Sequence, residues 1–126
     1  MASISVVINT LNEEKNLSRA LSSVKNFADE IVVVDMESQD RTVELAKKAG
    51  AKVYSHKKTG YVEPARNFAI GKTTSDWIFI LDADEEVSTD LAKKIVKIVK
   101  DNNSKDFYRI PRKNIVGLEC DRTRAN

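Results

Sequence analysis

The sequence predicts an α/β fold in which helices cover both faces of a mostly parallel sheet and form a three-layer α/β/α sandwich. Short apolar runs alternate four times with longer segments in which apolar residues recur every three or four positions. The apolar runs show little polar alternation, which is typical of parallel strands buried on both faces. The chain of 126 residues is long enough for one such domain and too short for two.

The first half of the chain holds two strand–helix units. Residues 4–8 predict the first strand, and the four β-branched residues 31–34 predict the second. A helix is predicted from Glu13 to about Asn26, because four apolar side chains share one face: Leu17, Ala20, Leu21 and Val24. A second helix ends at Gly50, and three side chains are candidates for its cap: Ser38, Asp40 and Thr42.

The second half repeats the pattern. Residues 52–55 predict a third strand, and residues 77–81 a fourth. The third helix opens at Glu63-Pro64, where the missing N–H of Pro64 costs nothing in the first turn, and it ends at Gly71.

A fourth helix follows the fourth strand. Thr89 and Asp90 are its predicted caps, and it ends near residues 101–103. Its apolar stripe consists of Leu91, Ile95, Ile98 and Val99. Residues 107–110 are predicted as a fifth strand, and beyond Pro111 the pattern assigns no element.

Carboxylates follow the predicted strands at one end. The run W-I-F-I-L leads straight into D-A-D-E-E, so that Asp82 and Asp84 come directly after a buried strand. In the commonest parallel arrangement the strand order is 3-2-1-4, and ligands bind at the carboxyl ends. Asp35, after the second strand, and residues 9–13, after the first, would then line the same edge.

This edge suits a metal-bound phosphate. The first loop, N-T-L-N-E-E, has no glycine for close approach of a pyrophosphate, and it lacks the G-K-[ST] of a phosphate-binding loop. Carboxylates repel phosphate unless a divalent cation reverses the local field. Asp84 is therefore the candidate metal ligand, and Asp82 is better placed for a ribose hydroxyl. Asp35 can accept from a base N–H, and Arg66 is the candidate cation for the base or the diphosphate.

Each candidate also has an ordinary structural interpretation. Asp82 and Asp84 could cap a turn, and Asp35 could order the loop that follows it. Arg66 alone is typical of a surface ion pair, and His56 of a solvated loop residue.

The amino-acid composition limits the kinds of binding partner and the cellular compartment that we expect for the protein. Charged residues make up 32% of the chain and balance to +2, so the charge does not require a nucleic-acid partner. Cys120 is the only cysteine, which favours a reducing, cytoplasmic compartment. No window approaches the roughly 18 apolar residues of a membrane span. Four lysines of the fourth helix form either a solvated face or a peripheral contact with the inner face of a membrane: Lys93, Lys94, Lys97 and Lys100.

Four motifs occur in order between residues 3 and 91. They are S-V-V-I-N-T-L-N-E-E-K-N-L, V-V-V-D-M-E-S-Q-D-R-T, P-A-R-N and L-D-A-D-E-E. Together they resemble the nucleotide-sugar-binding half of an inverting family 2 glycosyltransferase, which implies the Rossmann-like GT-A fold of nucleotide-diphospho-sugar transferases. The opening segment and the A-R-N helix look most similar to bacterial lipopolysaccharide core glucosyltransferases.

The resemblance implies a site for a nucleotide-diphosphate sugar, with a UDP-sugar favoured. Asp82 would contact the ribose, and Asp84 would hold Mg²⁺ or Mn²⁺ against the two phosphates. Arg66 would assist the base or the diphosphate. The base would be surrounded by Thr10, Asn12, Glu13 and Asp35.

The implied reaction inverts the anomeric carbon as the sugar moves to a saccharide or lipid-linked acceptor, in synthesis of bacterial cell-envelope polysaccharide or lipopolysaccharide. The metal would stabilise the leaving nucleoside diphosphate while a carboxylate base takes the acceptor proton.

The resemblance identifies no catalytic base in this chain. In the family the general base lies well beyond the acidic signature, so it is expected beyond Asn126, the last residue. Residues 1–126 are expected to be a single nucleotide-sugar-binding domain that is truncated before the acceptor-binding region and could be inactive by itself.

One position departs from the family, and other functions stay open. Asn9 stands where the family often has proline.

A module that binds nucleoside diphosphates without catalysis would keep the same site. A D-x-D phosphatase ranks last, because it needs threonine or valine where this chain has Glu86. A nucleotidyltransferase would want a glycine-rich, basic first loop.

Overall fold

The computed structural model describes residues 3–57, 63–101, 107–113 and 116–121, and for residues 63–66, 107–113 and 116–121 it describes the backbone alone. Strands and helices alternate through the first eight elements. In chain order the elements are β1 (Ile4–Thr10), α1 (Leu17–Val24), β2 (Glu30–Asp35), α2 (Thr42–Lys48), β3 (Lys52–Ser55), α3 (Glu63–Gly71), β4 (Trp77–Asp82), α4 (Thr89–Lys100), β5 (Phe107–Lys113) and β6 (Val116–Asp121).

The first four strands form a parallel sheet in the predicted order. β1 lies between β2 and β4, and β3 pairs with the outer side of β2. Each connection between successive strands passes through a helix, as parallel pairing requires. The α/β class and the strand order 3-2-1-4 are therefore confirmed.

Two more strands extend the sheet beyond β4. β6 pairs antiparallel with both β4 and β5, which gives the order β3-β2-β1-β4-β6-β5. The predicted fifth strand is present but continues through Pro111 to Lys113, and the sequence pattern does not reveal β6. Pro111 is tolerated because it lies in the last strand of this order, at a register irregularity between Ile110 and Lys113.

Apolar side chains pack on both faces of the sheet. On one face Val6, Ile8 and Phe79 pack with α1, α2 and α4, and the buried helix residues there include Leu17, Ala20, Leu21, Val24, Ala46, Ile95 and Val99. On the other face Val7 and Ile78 pack with α3 through Ala69, Phe68 and Ile70. This arrangement confirms the predicted three layers.

Two helix starts differ from the prediction. α1 begins at Leu17 and not at Glu13, because Glu13 closes a preceding turn by accepting from the N–H groups of Asn16 and Leu17 at 3.0 and 2.9 Å. α4 is capped by Ser88, whose side chain accepts from the N–H of Leu91 at 3.1 Å, so Thr89 and Asp90 lie inside the helix.

The cap of α2 is also different, whereas its end is as expected. Arg41 is the N-cap residue and makes no side-chain cap bond. Ser38 instead bonds Asp35, and the Thr42 N–H donates to Asp40. Gly50 follows the C-cap with φ of 88°, a left-handed conformation that favours glycine at this position.

A buried glutamate joins three strands at the amino end of the sheet. Glu30 accepts from the Ser5 hydroxyl and from the Lys52 ammonium, both at 2.6 Å, and from the N–H of Thr74 at 3.1 Å. Burial raises the pKa of Glu30, but the bonds from Lys52, Ser5 and Thr74 outweigh it and leave the pKa below its ordinary value. The ionised form of Glu30 therefore stabilises the fold.

We expect Glu30→Gln to lower the free energy of unfolding at pH 7 by about 1–2 kcal/mol. Because the folded pKa of Glu30 is depressed, its stabilisation is present above the unfolded pKa of about 4.3 and is lost as the pH falls through the folded pKa. Urea denaturation from neutral to acid pH should therefore give stabilities that converge in acid. Glu44→Gln is the matched control, because Glu44 also bonds a cation, Arg41, but is exposed. A difference that stays constant with pH would contradict the assignment.

Candidate functional site

The carboxyl ends of β1, β2 and β4 meet at one edge, as predicted. Thr10 lies opposite Asp35 in the pairing of β1 with β2, and Asn9 lies opposite Asp82 in the pairing of β1 with β4. A cavity of about 430 Å³ opens beside these strand ends. Its lining residues are Asn9, Thr10, Leu11, Glu13, Met36, Asp82, Ala83 and Asp84. Four of the predicted site residues, Thr10, Glu13, Asp82 and Asp84, therefore share one cavity.

Asp35 is held in a network next to this cavity. One oxygen, Oδ1, accepts from the Thr10 hydroxyl at 2.7 Å and from the Ser38 hydroxyl at 2.6 Å, and Oδ2 accepts from the Ser38 N–H at 2.8 Å. The residue is 2% exposed and does not line the cavity. Oδ2 keeps acceptor capacity for one further N–H group. The network shows why the spacing of Asp35 and Ser38 matters, since their bonds fix the turn after β2.

Side-chain bonds also tie the loop after β1 to the loop after β2. Asn12 has a positive φ of 55°, its N–H donates to the Ser38 hydroxyl at 2.7 Å, and its Oδ1 accepts from the Gln39 N–H at 2.8 Å. The N–H of Glu13 donates to the Thr42 hydroxyl at 2.9 Å. Asn12 therefore shapes the rim of the site through the loop and is not itself a lining residue.

The last residue of β4, Asp82, and the three carboxylates that follow it lie in different environments. Glu85 is 7% exposed, and its Oε1 accepts from the Asp82 N–H at 3.0 Å while its own N–H donates to the Asp82 carbonyl at 3.0 Å. Glu86 points to Arg19, with 3.9 Å between Oε1 and Nε. Asp82 is half-buried and Asp84 is exposed, and both line the cavity. Glu85 was not among the predicted site residues. Its two hydrogen bonds with Asp82 close the turn that presents Asp84.

The donor set at this edge fits a hard divalent cation. Mg²⁺ prefers oxygen ligands and is usually held by one or two carboxylates together with substrate phosphates and water. Asp82 and Asp84 supply such carboxylates beside a cavity large enough for a ligand. Over the residues that the structure describes, no group of three or more His, Cys, Asp or Glu residues could hold a metal by itself. Ligand phosphates and water would have to complete the coordination of any cation.

Asn9 is a cavity residue that stood out in the sequence only as a departure from the resemblance. It is half-buried, and its Oδ1 atom is fully buried without a hydrogen-bond partner. Buried amide oxygens are rarely left unpaired in folded proteins. The signal that could have found Asn9 is an amide in the penultimate position of a buried strand.

Other candidate residues lie away from the cavity lining or outside the described side chains. Arg66 is part of α3, but its side chain is outside the part of the chain that the structure describes. His56 donates its backbone N–H to the Asp35 carbonyl at 2.9 Å, and its ring packs against Phe68 with 5.4 Å between centroids. His56 is therefore half-buried against α3 and not a solvated loop residue as predicted.

The general base is predicted to lie beyond Asn126, the last residue of the sequence. The described residues end at Asp121, so that residues 122–126, up to Asn126 itself, lie outside them. The expectation that the base lies beyond Asn126 therefore stays a prediction, and no carboxylate of the described chain is assigned to the role.

The described part of the chain has no helix that is long and apolar enough to cross a membrane. Four lysines of α4 are exposed, and none of them forms an ion pair with another described residue: Lys93, Lys94, Lys97 and Lys100.

Sequence comparison reveals a close similarity to glycosyltransferases. A sequence profile described as Glycosyl transferase family 2 matches residues 5–124. An uncharacterized glycosyltransferase of Rickettsia typhi is 46% identical over 103 residues, which cover 82% of this chain and 35% of the relative. The 4,4'-diaponeurosporenoate glycosyltransferase of Staphylococcus haemolyticus is 35% identical over 102 residues, which cover 75% of this chain and 27% of the relative. The chain thus spans about a third, or less, of the length of these relatives.

Solved structures show the same architecture. S. aureus TarS, in a structure of residues 1–349, superposes with a TM-score of 0.77 at 24% identity, over 88% of this chain and 36% of that one. Glucosyl-3-phosphoglycerate synthase of Mycobacterium tuberculosis superposes with a TM-score of 0.56 at 28% identity, over 68% of this chain and 36% of that one. The latter structure is a complex with Mn²⁺, uridine diphosphate and glucosyl-3-phosphoglycerate. These similarities confirm the predicted GT-A architecture.

Proposed function

Because this chain belongs to glycosyl transferase family 2, we propose that it binds the nucleotide-diphosphate sugar of a glycosyltransferase reaction in the cavity at the acidic edge. The observation that carries the proposal is that Asp82 and Asp84 line the same cavity as Thr10 and Glu13. This arrangement offers oxygen ligands for a cation and polar groups for a nucleoside in one place. The similar synthase of Mycobacterium tuberculosis, solved with Mn²⁺ and uridine diphosphate, supports a divalent cation and makes a UDP-sugar the favoured donor.

The proposed roles of the chain's residues follow from their surroundings. Asp84 is exposed and takes the metal, Mg²⁺ or Mn²⁺, while Asp82, in the last position of β4, takes a ribose hydroxyl. Thr10, Asn12, Glu13 and Asp35 surround the base in this proposal, with Asp35 and Asn12 acting largely by fixing the loops. Arg66 assists the base or the diphosphate.

The proposed reaction is a single displacement with inversion. The acceptor hydroxyl oxygen forms a bond to the anomeric carbon as the bond from that carbon to the diphosphate breaks, and the proton passes to a carboxylate base. A bound cation would stabilise the charge of the leaving diphosphate. We assign no base within residues 1–126 and propose that it lies in a segment beyond Asn126. The acceptor is proposed to be a saccharide or lipid-linked molecule of the bacterial cell envelope, with lipopolysaccharide core synthesis as the specific expectation.

Calorimetric titration of uridine diphosphate, with Mn²⁺ present and then with a chelator, tests this proposal. We expect binding in the micromolar to millimolar range that weakens at least about tenfold without the metal, because the carboxylates then face the phosphates directly. Adenosine monophosphate serves as a control for unspecific nucleotide binding. Failure of uridine and guanosine diphosphates to bind in either condition would refute the proposal.

A second candidate is a module that binds nucleoside diphosphates without catalysis. It is compatible with the same cavity, because the carboxylates and polar groups that line it would bind a nucleoside diphosphate whether or not a reaction follows. Release of sugar from a UDP-sugar, or its transfer to an acceptor by the protein, would exclude this candidate. Binding without turnover over many hours would support it.

We also propose that α4 contacts an anionic membrane surface from the cytoplasmic side. Its four exposed lysines, which have no acidic partner within the described ranges, could each interact with anionic lipid. Cosedimentation with vesicles that contain phosphatidylglycerol, compared with neutral vesicles, would detect it, and equal binding to both would exclude it.

A further inference from the structure

Asn9 is the one buried amide that lines the cavity without a partner among the described residues. It is half-buried as a residue, but its Oδ1 atom is inaccessible and accepts no hydrogen bond. Its neighbours in β1 are apolar or satisfied, since Ile8 is in the core and the Thr10 hydroxyl donates to Asp35. An unpaired amide in a buried parallel strand costs stability, because an apolar β-branched residue would fit the same place better. A cost of this kind indicates a ligand contact.

The pleat of the sheet brings the Asn9 side chain to the same face as the side chain of Asp82. Val7 and Ile80 pack on the α3 side of the sheet, and side chains two positions apart in a strand share a face. Asn9 and Asp82 are two positions beyond Val7 and Ile80, and their Cα atoms are partners in the pairing of β1 with β4. Neighbouring strands lie about 4.8 Å apart. An amide and a carboxylate therefore stand side by side in the cavity wall.

Thr10 and Asp35 belong to the opposite face. Thr10 lies two positions beyond Ile8, and Asp35 lies two positions beyond Val33. Both Ile8 and Val33 pack on the side of α1 and α2, and the side chains of Thr10 and Asp35 bond each other. The wall formed by Asn9 and Asp82 is thus separate from the network that is proposed to lie near the base.

The amide of Asn9 and the carboxylate of Asp82 can together bind two hydroxyl groups on neighbouring carbon atoms. A carboxylate only accepts hydrogen bonds, whereas an amide both donates and accepts, so the two can bind neighbouring hydroxyl groups at once. The amide is neutral, so it supplies no net charge to offset the repulsion between Asp82 and a phosphate. The ribose is the part of a nucleoside diphosphate that carries two neighbouring hydroxyls.

On the premise of the proposed function, we propose that Asn9 is a specificity-determining residue that, together with Asp82, reads the ribose 2′- and 3′-hydroxyls. The amide turns about its last torsion when the ligand binds, and the hydroxyl takes the bond that Oδ1 lacks. A deoxyribose leaves the amide unpaired again and is rejected.

The test is a cycle of two proteins and three ligands. Uridine diphosphate and its 2′-deoxy and 3′-deoxy analogues are titrated calorimetrically, with Mn²⁺ present, into the wild-type protein and into Asn9→Ala. We expect the wild type to bind both deoxy analogues about tenfold more weakly than uridine diphosphate, because Asn9 and Asp82 each bind one hydroxyl. Asn9→Ala should bind one of these analogues as tightly as it binds uridine diphosphate and should still discriminate against the other, which Asp82 contacts. Asn26→Ala is the matched control, because Asn26 is exposed and does not line the cavity, and it should discriminate as the wild type does.

A stability measurement separates ligand reading from a structural role. Asn9→Val should melt, without ligand, at a temperature no lower than that of the wild type, because it replaces an unpaired amide by a residue suited to a buried strand. A lower melting temperature together with equal loss of affinity for all three ligands would assign Asn9 a structural role and overturn the inference.

The remaining outcomes distinguish the inference from its premise. If the wild type binds uridine diphosphate with the metal but Asn9→Ala discriminates against deoxyribose as strongly as the wild type, the inference fails and the proposed function stands. If the wild type binds none of the three ligands, both fail.

Discussion

Asp84→Asn is expected to abolish the metal dependence of uridine diphosphate binding and to weaken binding in the presence of Mn²⁺ by roughly 100-fold or more. Asparagine keeps the size of the side chain but removes the charge that a hard cation needs. Asp84 is exposed, so the substitution should leave the unfolding free energy almost unchanged. The measurement is the same titration with Mn²⁺ and with chelator that tests the wild type.

Glu86→Gln is the matched control for this prediction. Glu86 lies two positions further along and points to Arg19 instead of the cavity, and its substitution removes the same charge. We expect the affinity of this variant for uridine diphosphate to stay within about threefold of the wild type, since Glu86 acts only through the long-range field. Equal losses in both variants would mean that net charge, and not coordination by Asp84, governs binding.

Asp35→Ala is expected to cost about 2–4 kcal/mol of unfolding free energy, the largest stability effect that we predict for the site. The substitution leaves three donors without their acceptor, namely the Thr10 hydroxyl and the hydroxyl and N–H of Ser38. These groups lie in a region where Asp35 itself is 2% exposed, so water cannot freely replace the carboxylate. Urea denaturation at pH 7 would measure the loss as a shift of the midpoint.

Two variants calibrate this result. Thr10→Val removes one donor while Asp35 keeps the others, and should cost about 1 kcal/mol. Asp76→Ala removes an exposed aspartate that accepts one bond, from the Ser3 N–H at 3.1 Å, and should have little effect. An unchanged urea midpoint in Asp35→Ala would show that the loop after β2 does not depend on the carboxylate.

Local sequence patterns predict the parallel half of the fold and the edge at which the candidate site residues meet. Each of the first four strands is a local apolar run, and each helix between them has a local apolar period, so neighbouring residues carried the information. Chain connectivity then brought the ends of β1, β2 and β4 to one edge, because strands joined by helices run in the same direction. The sequence therefore predicts that Asp82 and Asp84 lie at the same edge as Thr10, and all three line one cavity.

Tertiary packing sets the hydrogen-bond partner of each polar group at that edge. β6 pairs with β4 from about 40 residues further along the chain, and its short sequence has no local period that reveals it. Glu85 is buried beneath the turn that presents Asp84, although its position in D-A-D-E-E looks equivalent to that of Glu86. In the sequence, Asn9 is only a residue that departs from the opening motif of the family. Its buried and unpaired Oδ1 atom is seen only in the folded structure, where β4 lies beside β1. The reason is physical: periodicity records whether a residue faces the core, whereas hydrogen-bond partners come from distant parts of the chain and are fixed only when those parts pack together.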